Sequence, residues 1–527
     1  MTGGIGAGDA SAGIVAGRVA LAAPGTEFHS RDVALGTERP AVFADALASE
    51  ADAAASAAAD AFFALQTEPG ELDPVVLVRA LAVALEGRRA ELVAIAGIET
   101  GLPPARLNSE LGRMTGQLEL LAAEATARSG RAVEEDPAGE PGGAAFAPAL
   151  ALGHVPLGPV AVFGASNFPF AFGVLGGDTA AALAAGCPVV AKGHPAYPET
   201  SDLLAEILAR VLADGGWPAG WFSLLHGRGS EIGQALVAAD GIAAVAFTGS
   251  TRGGLALVEA AAARAVPIPV FAELGGINAL YLLPGAAGEA GGGAASGASP
   301  FVTGLAQSVT GGSGQFCTKP GLLVLVDDAA SRLTVASLAS VLAAADSAPL
   351  LTPGILHALV TGIDRLRRLP GVDVLLDGPT DETDVAAAVP AALATVTSAD
   401  LRADPSITDE LFGPAVVVVY CDSIEDLIDL TGVIPGGLTA TIHAAAGDED
   451  ALHALLRRLR LRAGRVLFGG FPTGVRVGRA TTHGGPFPAT SAPGTTSVGA
   501  HAIDRFLRPV TYQDLPESMR AAALSWK

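Results

Sequence analysis
Cysteine is scarce in this chain: three residues in 527, at Cys187, Cys317 and Cys421. They are too few and too scattered for a disulfide framework or a zinc site, so no metal is expected, and a reducing cytoplasm is. Positive charge is scarce as well. The 32 lysines and arginines face 54 aspartates and glutamates, a formal net charge of −22. A surface of that sign repels phosphate backbones, which removes nucleic acid from the expected partners. Long uninterrupted apolar runs are missing. The greasiest stretch, 149–163, is broken by His154, Pro156, Gly158 and Pro159, and residues 1–19 lack the basic and apolar regions of a signal peptide. Neither a membrane span nor a secretory leader is expected. The dinucleotide fingerprint GxGxxG is absent from the turn at 247–254, and no internal repeat is evident.

What is present is a large apolar fraction, 50% of the residues, enough to bury the cores of about two or three domains. Residues 1–15 are rich in Gly, Ala and Ser and are expected to fray. The alanine-rich stretch 41–66 reads as a helix with a modest buried stripe. Asp73-Pro74 opens the next helix, with Asp73 as N-cap and Leu77, Leu81, Leu85, Leu92 and Ile95 at helical spacing before the stop at 101–104. A third helix, 105–128, sets Arg113 and Gln117 on one face. Residues 129–148 read as a loop. From Val155 onward short apolar strands (160–163, 188–191, 221–225, 244–247, 269–273) alternate with helices, and a second alternating region runs from Phe301 to about Phe471. The low-complexity stretch 285–299 reads as a surface loop, and the tail from Gly484 as extended. The alternation implies an α/β fold of open, mostly parallel sheets with helices on both faces.

A few stretches carry chemistry. The loop Thr310-Gly311-Gly312-Ser313-Gly314 delivers Cys317 just ahead of the apolar run 322–326. Its glycines let a ligand approach and leave the sulfur uncovered; the ordinary alternative is a small core cysteine. Phe163-Gly164-Ala165-Ser166-Asn167 turns from strand to helix, where open parallel sheets bind ligands. Asn167 is there either an oxyanion donor or a turn residue. Lys192 ends a buried strand and meets either solvent or a ribose or phosphate. His194, in the loop that follows, is given no role. Glu273, at a strand's end beside Gly275 and Gly276, either caps the next helix or acts as a base near the thiol.

In their order, the stretches ASNFP, AKGHP, FTGS, ELGG and GQFC, followed by Glu410-Leu411-Phe412-Gly413-Pro414, resemble the aldehyde dehydrogenase superfamily over roughly residues 40–515. Stretches 112–118, 162–170, 468–474, 483–491 and 495–509 are most similar to the branch oxidising 2-oxoglutarate semialdehyde. The resemblance implies two open parallel α/β domains plus a small β oligomerisation segment. The cofactor-binding domain would span 1–130 and 155–282, the thiol domain 283–485, and the oligomerisation segment 131–154 and 486–527. It implies Cys317 as nucleophile, Asn167 and the Cys317 backbone N–H as oxyanion donors, and Glu273 as the base that activates the water hydrolysing a thioester. Lys192 and Glu410 would hold the two riboses of NAD or NADP, with Phe412 near the nicotinamide ribose and the phosphates near Gly249 and Ser250. The helix 105–128 would line a tunnel for a small-molecule aldehyde, with Arg113, Gln117 and Phe168 as its contacts; Arg113 otherwise pairs with Glu110 or another acid. A homodimer or homotetramer is implied.

Two departures from the family pattern matter. Pro195 stands where many members carry a ribose-holding glutamate, so NADP is expected to be accepted, with Arg228 as a second phosphate contact. Gly469 replaces an asparagine on the floor of the site. Cys187 and Cys421 fall in apolar runs and read as packing residues. The competing readings are a broad-specificity fatty or aromatic aldehyde dehydrogenase, a CoA-acylating enzyme, and an inactive relic. Glu273 argues against the second, whose branch typically lacks this base. The intact set Cys317, Glu273 and Asn167 argues against the third.

Overall fold
The computed structural model describes residues 10–68, 71–139, 148–291, 298–346, 348–380 and 388–526. Two seven-stranded sheets organise them. The first runs in spatial order Val270–Glu273, Ala244–Thr248, Val160–Phe163, Val189–Lys192, Phe222–Leu225, Gly13–Val15 and Arg18–Val19. Its first five strands are parallel and its last two antiparallel. Every residue of Val160–Phe163 and Phe222–Leu225 is buried, as expected of parallel strands covered on both faces. The second sheet runs Asp373–Asp377, Ala392–Thr397, Ala415–Cys421, Pro320–Val326, Asn278–Leu282, Gly437–His443 and Ala463–Phe468. It is parallel apart from its first edge strand. A small antiparallel sheet joins Leu507–Gln513, Leu150–Pro156 and Glu134–Asp136. Among the described residues, no helix is long and apolar enough to cross a membrane.

The helices explain themselves locally. Asp73 accepts from the Val75 N–H, and Pro74 occupies the first turn of Pro74–Gly87. The 25-residue helix Pro104–Arg128 buries Leu107, Leu111, Met114, Leu118 and Leu121 at three- and four-residue spacing. Its neighbouring stripe, carrying Arg106, Glu110 and Arg113, turns toward the site described below.

Several expectations need correction. The apolar spacing from Leu77 to Ile95 belongs to two helices, Pro74–Gly87 and Arg89–Thr100, because the chain leaves helical geometry at Arg88 (φ −110°, ψ 14°). Residues 13–15 do not fray: Gly13 and Ile14 pair with Leu225 and Leu224 and Val15 with Arg18, and a Cβ at Gly13 (φ +111°) would lie 2.1 Å from the Leu224 carbonyl oxygen; residues 1–9 lie outside the described residues. The expected loop 129–148 holds the strand Glu134–Asp136, with 140–147 outside the described residues. The expected loop 285–299 begins with the helix Pro284–Gly291, and 292–297 lie outside the described residues. The tail includes the 3-10 turn Ala500–Phe506. The strand Asn278–Leu282 lies in the second sheet, so the sheets divide before it rather than after 282.

Candidate active site between the two sheets
Cys317 leaves the 3-10 turn Gly311–Gly314, in which Gly312 (φ 57°), Ser313 (φ 55°) and Gly314 (φ 69°) take left-handed backbone. A Cβ at Gly314 would lie 2.2 Å from the Gly413 carbonyl oxygen, so a side chain there would displace the loop. Gln315 fixes the turn from within: its Nε2 donates to the Gly312 carbonyl at 3.1 Å and its Oε1 accepts from the Leu351 N–H at 3.0 Å. Asn278 Nδ2 donates to the Cys317 carbonyl at 2.8 Å and to the Lys319 carbonyl at 3.1 Å. The thiol is thereby held, half-buried, on a rigid loop.

Glu273 closes the edge strand of the first sheet with 2% of its surface exposed. Ser497 Oγ donates to its Oε2 at 2.7 Å, and His483 Nε2 lies 3.1 Å from its Oε1. The same imidazole nitrogen stands 3.6 Å from Cys317 Sγ. Burial pushes the Glu273 pKa up, but His483, Ser497 and Arg505 outweigh it and leave the carboxyl below its ordinary value. Burial, and then the Glu273 carboxylate, raise the Cys317 thiol well above its ordinary value, with Arg113 pulling the other way. Such a thiol attacks only if a proton acceptor is at hand. His483 was missed by sequence reasoning. It stands 166 residues from Cys317, and its only signal was membership of a similar stretch.

The wall opposite the thiol is aromatic and cationic. Phe168 meets Phe172 and Phe316, each with ring centroids 5.5 Å away. Arg113 lies 5.8 Å over Phe168 and 5.0 Å over Phe172; Arg106 lies 5.0 Å over Phe168 and 4.6 Å over Phe316. Glu110 does not take either arginine as an ion-pair partner. Its Oε1 accepts instead from the Phe170 and Ala171 N–H groups at 2.8 and 3.0 Å. Among the described residues Arg113 has no hydrogen bond or ion pair, and Arg106 leaves Nε and Nη1 buried without a hydrogen-bond partner. Arg106 Nη2 donates to the Asn167 carbonyl at 2.7 Å, while Asn167 Nδ2 donates to the Gln315 carbonyl at 2.8 Å. Asn167 is thus tied to the cysteine loop. Gln117 is a correction. Both ends of its amide are spent on Gly499, donating to its carbonyl at 3.0 Å and accepting its N–H at 3.1 Å, so it is not offered to a ligand.

The residues expected to hold a cofactor form a separate group. Lys192 is half-buried at the end of its strand, has no hydrogen-bond partner among the described residues, and has its pKa pushed down to about 8 by burial, against Asp45. Ser250 caps the helix Thr251–Ala262 by accepting from the Gly253 N–H, and the Gly249 N–H donates to the Glu273 carbonyl at 3.1 Å. Glu410 stretches over Gly275, where a Cβ would lie 2.3 Å from its carboxylate, with half-buried Phe412 two residues on. An unpaired ammonium, a carboxylate over glycines and an open helix N-terminus suit the hydroxyls and phosphates of a dinucleotide. Arg228 is less available: it donates to the Thr26 carbonyl at 2.7 Å, pairs with Asp45 at 3.6 Å and stacks on Phe28. It nevertheless lines, with Pro195, Arg31 and His29, a cavity of about 320 Å³. Burial and Lys192 push the His194 pKa down to about 3; its Nδ1 accepts from the Ala196 N–H at 3.2 Å, a local turn contact. Gly469 takes φ +71° with nothing near a Cβ, a backbone state that asparagine also tolerates.

Residues 34–509 match the sequence profile of the aldehyde dehydrogenase family. This chain belongs to that family. It is 44% identical over 489 residues to alpha-ketoglutaric semialdehyde dehydrogenase 2 of Azospirillum brasilense, covering 91% of this chain and 89% of the relative. It is 39% identical over 481 residues to alpha-ketoglutaric semialdehyde dehydrogenase of Acinetobacter baylyi, covering 90% and 88%. The fold of this aldehyde dehydrogenase is shared with 1-pyrroline-5-carboxylate dehydrogenase from Thermus with bound NAD (TM-score 0.79, 21% identity, 96% and 93% coverage). It is shared too with lactaldehyde dehydrogenase of Escherichia coli (TM-score 0.80, 20% identity, 95% and 98% coverage).

Proposed function
We propose that this aldehyde dehydrogenase oxidises 2-oxoglutarate semialdehyde to 2-oxoglutarate with NAD or NADP. The observation that carries the reading is Arg113, a guanidinium on the site wall with no hydrogen bond or ion pair among the described residues and electrostatically coupled to Cys317. A half-buried cation without a hydrogen-bond partner is costly, and a substrate carboxylate would satisfy it. Arg106, with two unpartnered nitrogens beside it, is a second contact for the same end of the substrate. The names of the two relatives support the same substrate.

In this reading the Cys317 proton passes to the pair formed by His483 Nε2 and the Glu273 carboxylate, 3.1 Å apart, as sulfur attacks the aldehyde carbon. The Asn167 amide and the Cys317 backbone N–H hold the oxyanion of the thiohemiacetal. Lys192 and Glu410 would hold the riboses of NAD(P), with Phe412 near the nicotinamide ribose and Gly249 and Ser250 near the phosphates, and the cofactor would there supply a hydride acceptor. Glu273, its carboxylate kept ionised and aimed by Ser497, then deprotonates the water that hydrolyses the Cys317 thioester. Room beside Pro195, lined by Arg31 and Arg228, supports acceptance of a 2′-phosphate. We place the enzyme in the cytoplasm as a homodimer or homotetramer, with residues near 131–154 and 486–515 pairing across subunits.

The test compares kcat/KM for 2-oxoglutarate semialdehyde, hexanal and benzaldehyde, each with NAD and NADP. The expected result is a preference for the semialdehyde of at least about tenfold, the size of one charged contact, with NADP used at least as well as NAD. Equal or better use of the uncharged aldehydes favours the broad-specificity reading, which the aromatic wall would then serve. A strong preference for NAD overturns the cofactor part.

A further inference from the structure
We propose that Cys317, His483 and Glu273 form a zinc-binding site, and that Zn²⁺ bound there switches the enzyme off reversibly. A sulfur, an imidazole nitrogen and a carboxylate oxygen lie within 4.8 Å of one another, the three donor types that zinc selects. Tetrahedral zinc, with bonds of about 2.3 Å to sulfur and about 2.0 Å to nitrogen and oxygen, sets its sulfur and nitrogen ligands about 3.5 Å apart and its nitrogen and oxygen ligands about 3.3 Å apart. Here Sγ to Nε2 is 3.6 Å and Nε2 to Oε1 is 3.1 Å. Those two separations match to within a few tenths of an ångström, while Sγ and the Glu273 oxygen, within 4.8 Å of each other, would draw together toward about 3.5 Å as the Glu273 side chain turns in to the metal.

The ligands are also braced from outside, as metal ligands need to be. Ser497 Oγ holds the other Glu273 oxygen, the His483 backbone N–H donates to Thr496 Oγ1 at 2.8 Å, and Asn278 holds the Cys317 backbone carbonyl. Cys317 is only half-buried, so solvent can complete the coordination. Thiolate and imidazole favour Zn²⁺ and Co²⁺ over Mg²⁺ and Ca²⁺, which take oxygen ligands. On binding, the S–H bond breaks, one proton leaves to solvent and a sulfur–zinc bond forms, with no change of oxidation state. The sulfur pair needed to attack an aldehyde is then committed to the metal. Counting cysteines excluded a zinc site in this chain; one cysteine drawing on a distant histidine and glutamate escapes such a count.

The inference rests on the active-site reading of Cys317 and Glu273, but its primary readout needs no turnover. Metal-free full-length enzyme is titrated with Co²⁺ while the thiolate-to-cobalt charge-transfer band is followed, and activity is measured in parallel with Zn²⁺, with and without EDTA. The expected result is one Co²⁺ per chain with that band, complete inhibition by Zn²⁺, recovery with EDTA and no inhibition by Mg²⁺ at equal concentration. The band vanishes in Cys317→Ala. Affinity falls at least about tenfold in His483→Gln and in Glu273→Gln, since loss of a mere supporting partner already costs that much. Absence of the band, unchanged affinity in both His483→Gln and Glu273→Gln, or equal inhibition by Mg²⁺ overturns the proposal. A cobalt–thiolate band in an enzyme inactive on every aldehyde would leave the zinc site standing and remove the proposed function.

Discussion
Cys187 and Cys317 are both raised by burial, yet their surroundings differ in kind. Cys187 is fully buried and meets the Phe506 carbonyl at 3.5 Å, and its pKa is pushed up to about 12. Cys421, inside its strand, is likewise pushed up to about 12. Cys187 feels only burial and backbone N–H groups, and at Cys421 the pull of Arg402 is opposed by Asp426 and Asp422, which raise the thiol further. Cys317 is also raised by burial, though only half-buried, but it stands beside His483, Glu273 and Arg113, on a loop that glycines keep open. Burial alone therefore does not mark a reactive thiol; the neighbours do.

The comparison breaks most sharply on the sulfurs themselves. Cys317→Ala should abolish reduced-cofactor formation, while Cys187→Ala keeps it within about twofold and lowers stability by about 1 kcal/mol in a denaturant titration. Loss of activity in a folded Cys187→Ala enzyme would erase the distinction. Next in size is the cation. Arg113→Met should cut kcat/KM for 2-oxoglutarate semialdehyde about ten- to a hundredfold, the worth of roughly 1.5–3 kcal/mol, and leave hexanal unchanged or improved. An equal loss for both substrates would make Arg113 a structural residue. Smaller still is the effect of pH on cofactor affinity. With the Lys192 pKa pushed down to about 8, the ammonium is charged below that pH and neutral above it. KM for NAD(P) should rise several-fold as pH passes above about 8, and Lys192→Met should flatten the rise. The mildest effect on catalysis belongs to Gln117→Ala. Losing two hydrogen bonds to Gly499 should cost about 1–3 kcal/mol of stability, with both substrate classes affected alike.

Much of the parallel scaffold was legible because covered strands are apolar throughout. Val160–Phe163 and Val189–Lys192 could be read from composition alone, and the Asp73-Pro74 helix start from its cap. Gly13–Val15 was not legible, since its place depends on pairing with Leu224 and Leu225, more than two hundred residues on. The break at Arg88 was hidden because Leu85 and Leu92, one on each side, are both fully buried. Of the residues singled out beside glycine-rich turns, Cys317 and Glu273 come together in the structure. The parts played by Gln117 and His483 were not legible. Helical spacing put Gln117 beside Arg113 but could not show that Gly499 occupies its amide, and nothing local to His483 distinguishes it from a loop histidine.

The division of labour between Cys317 and Glu273 is tested most directly in Glu273→Gln. Rapid mixing with NAD(P) and 2-oxoglutarate semialdehyde should give one burst of reduced cofactor per active site and then a stall, because deacylation lacks its base. Intact-protein mass spectrometry of the stalled enzyme should find a 2-oxoglutaryl group on Cys317. Steady turnover, or a folded, cofactor-binding variant with neither burst nor adduct, would contradict the account.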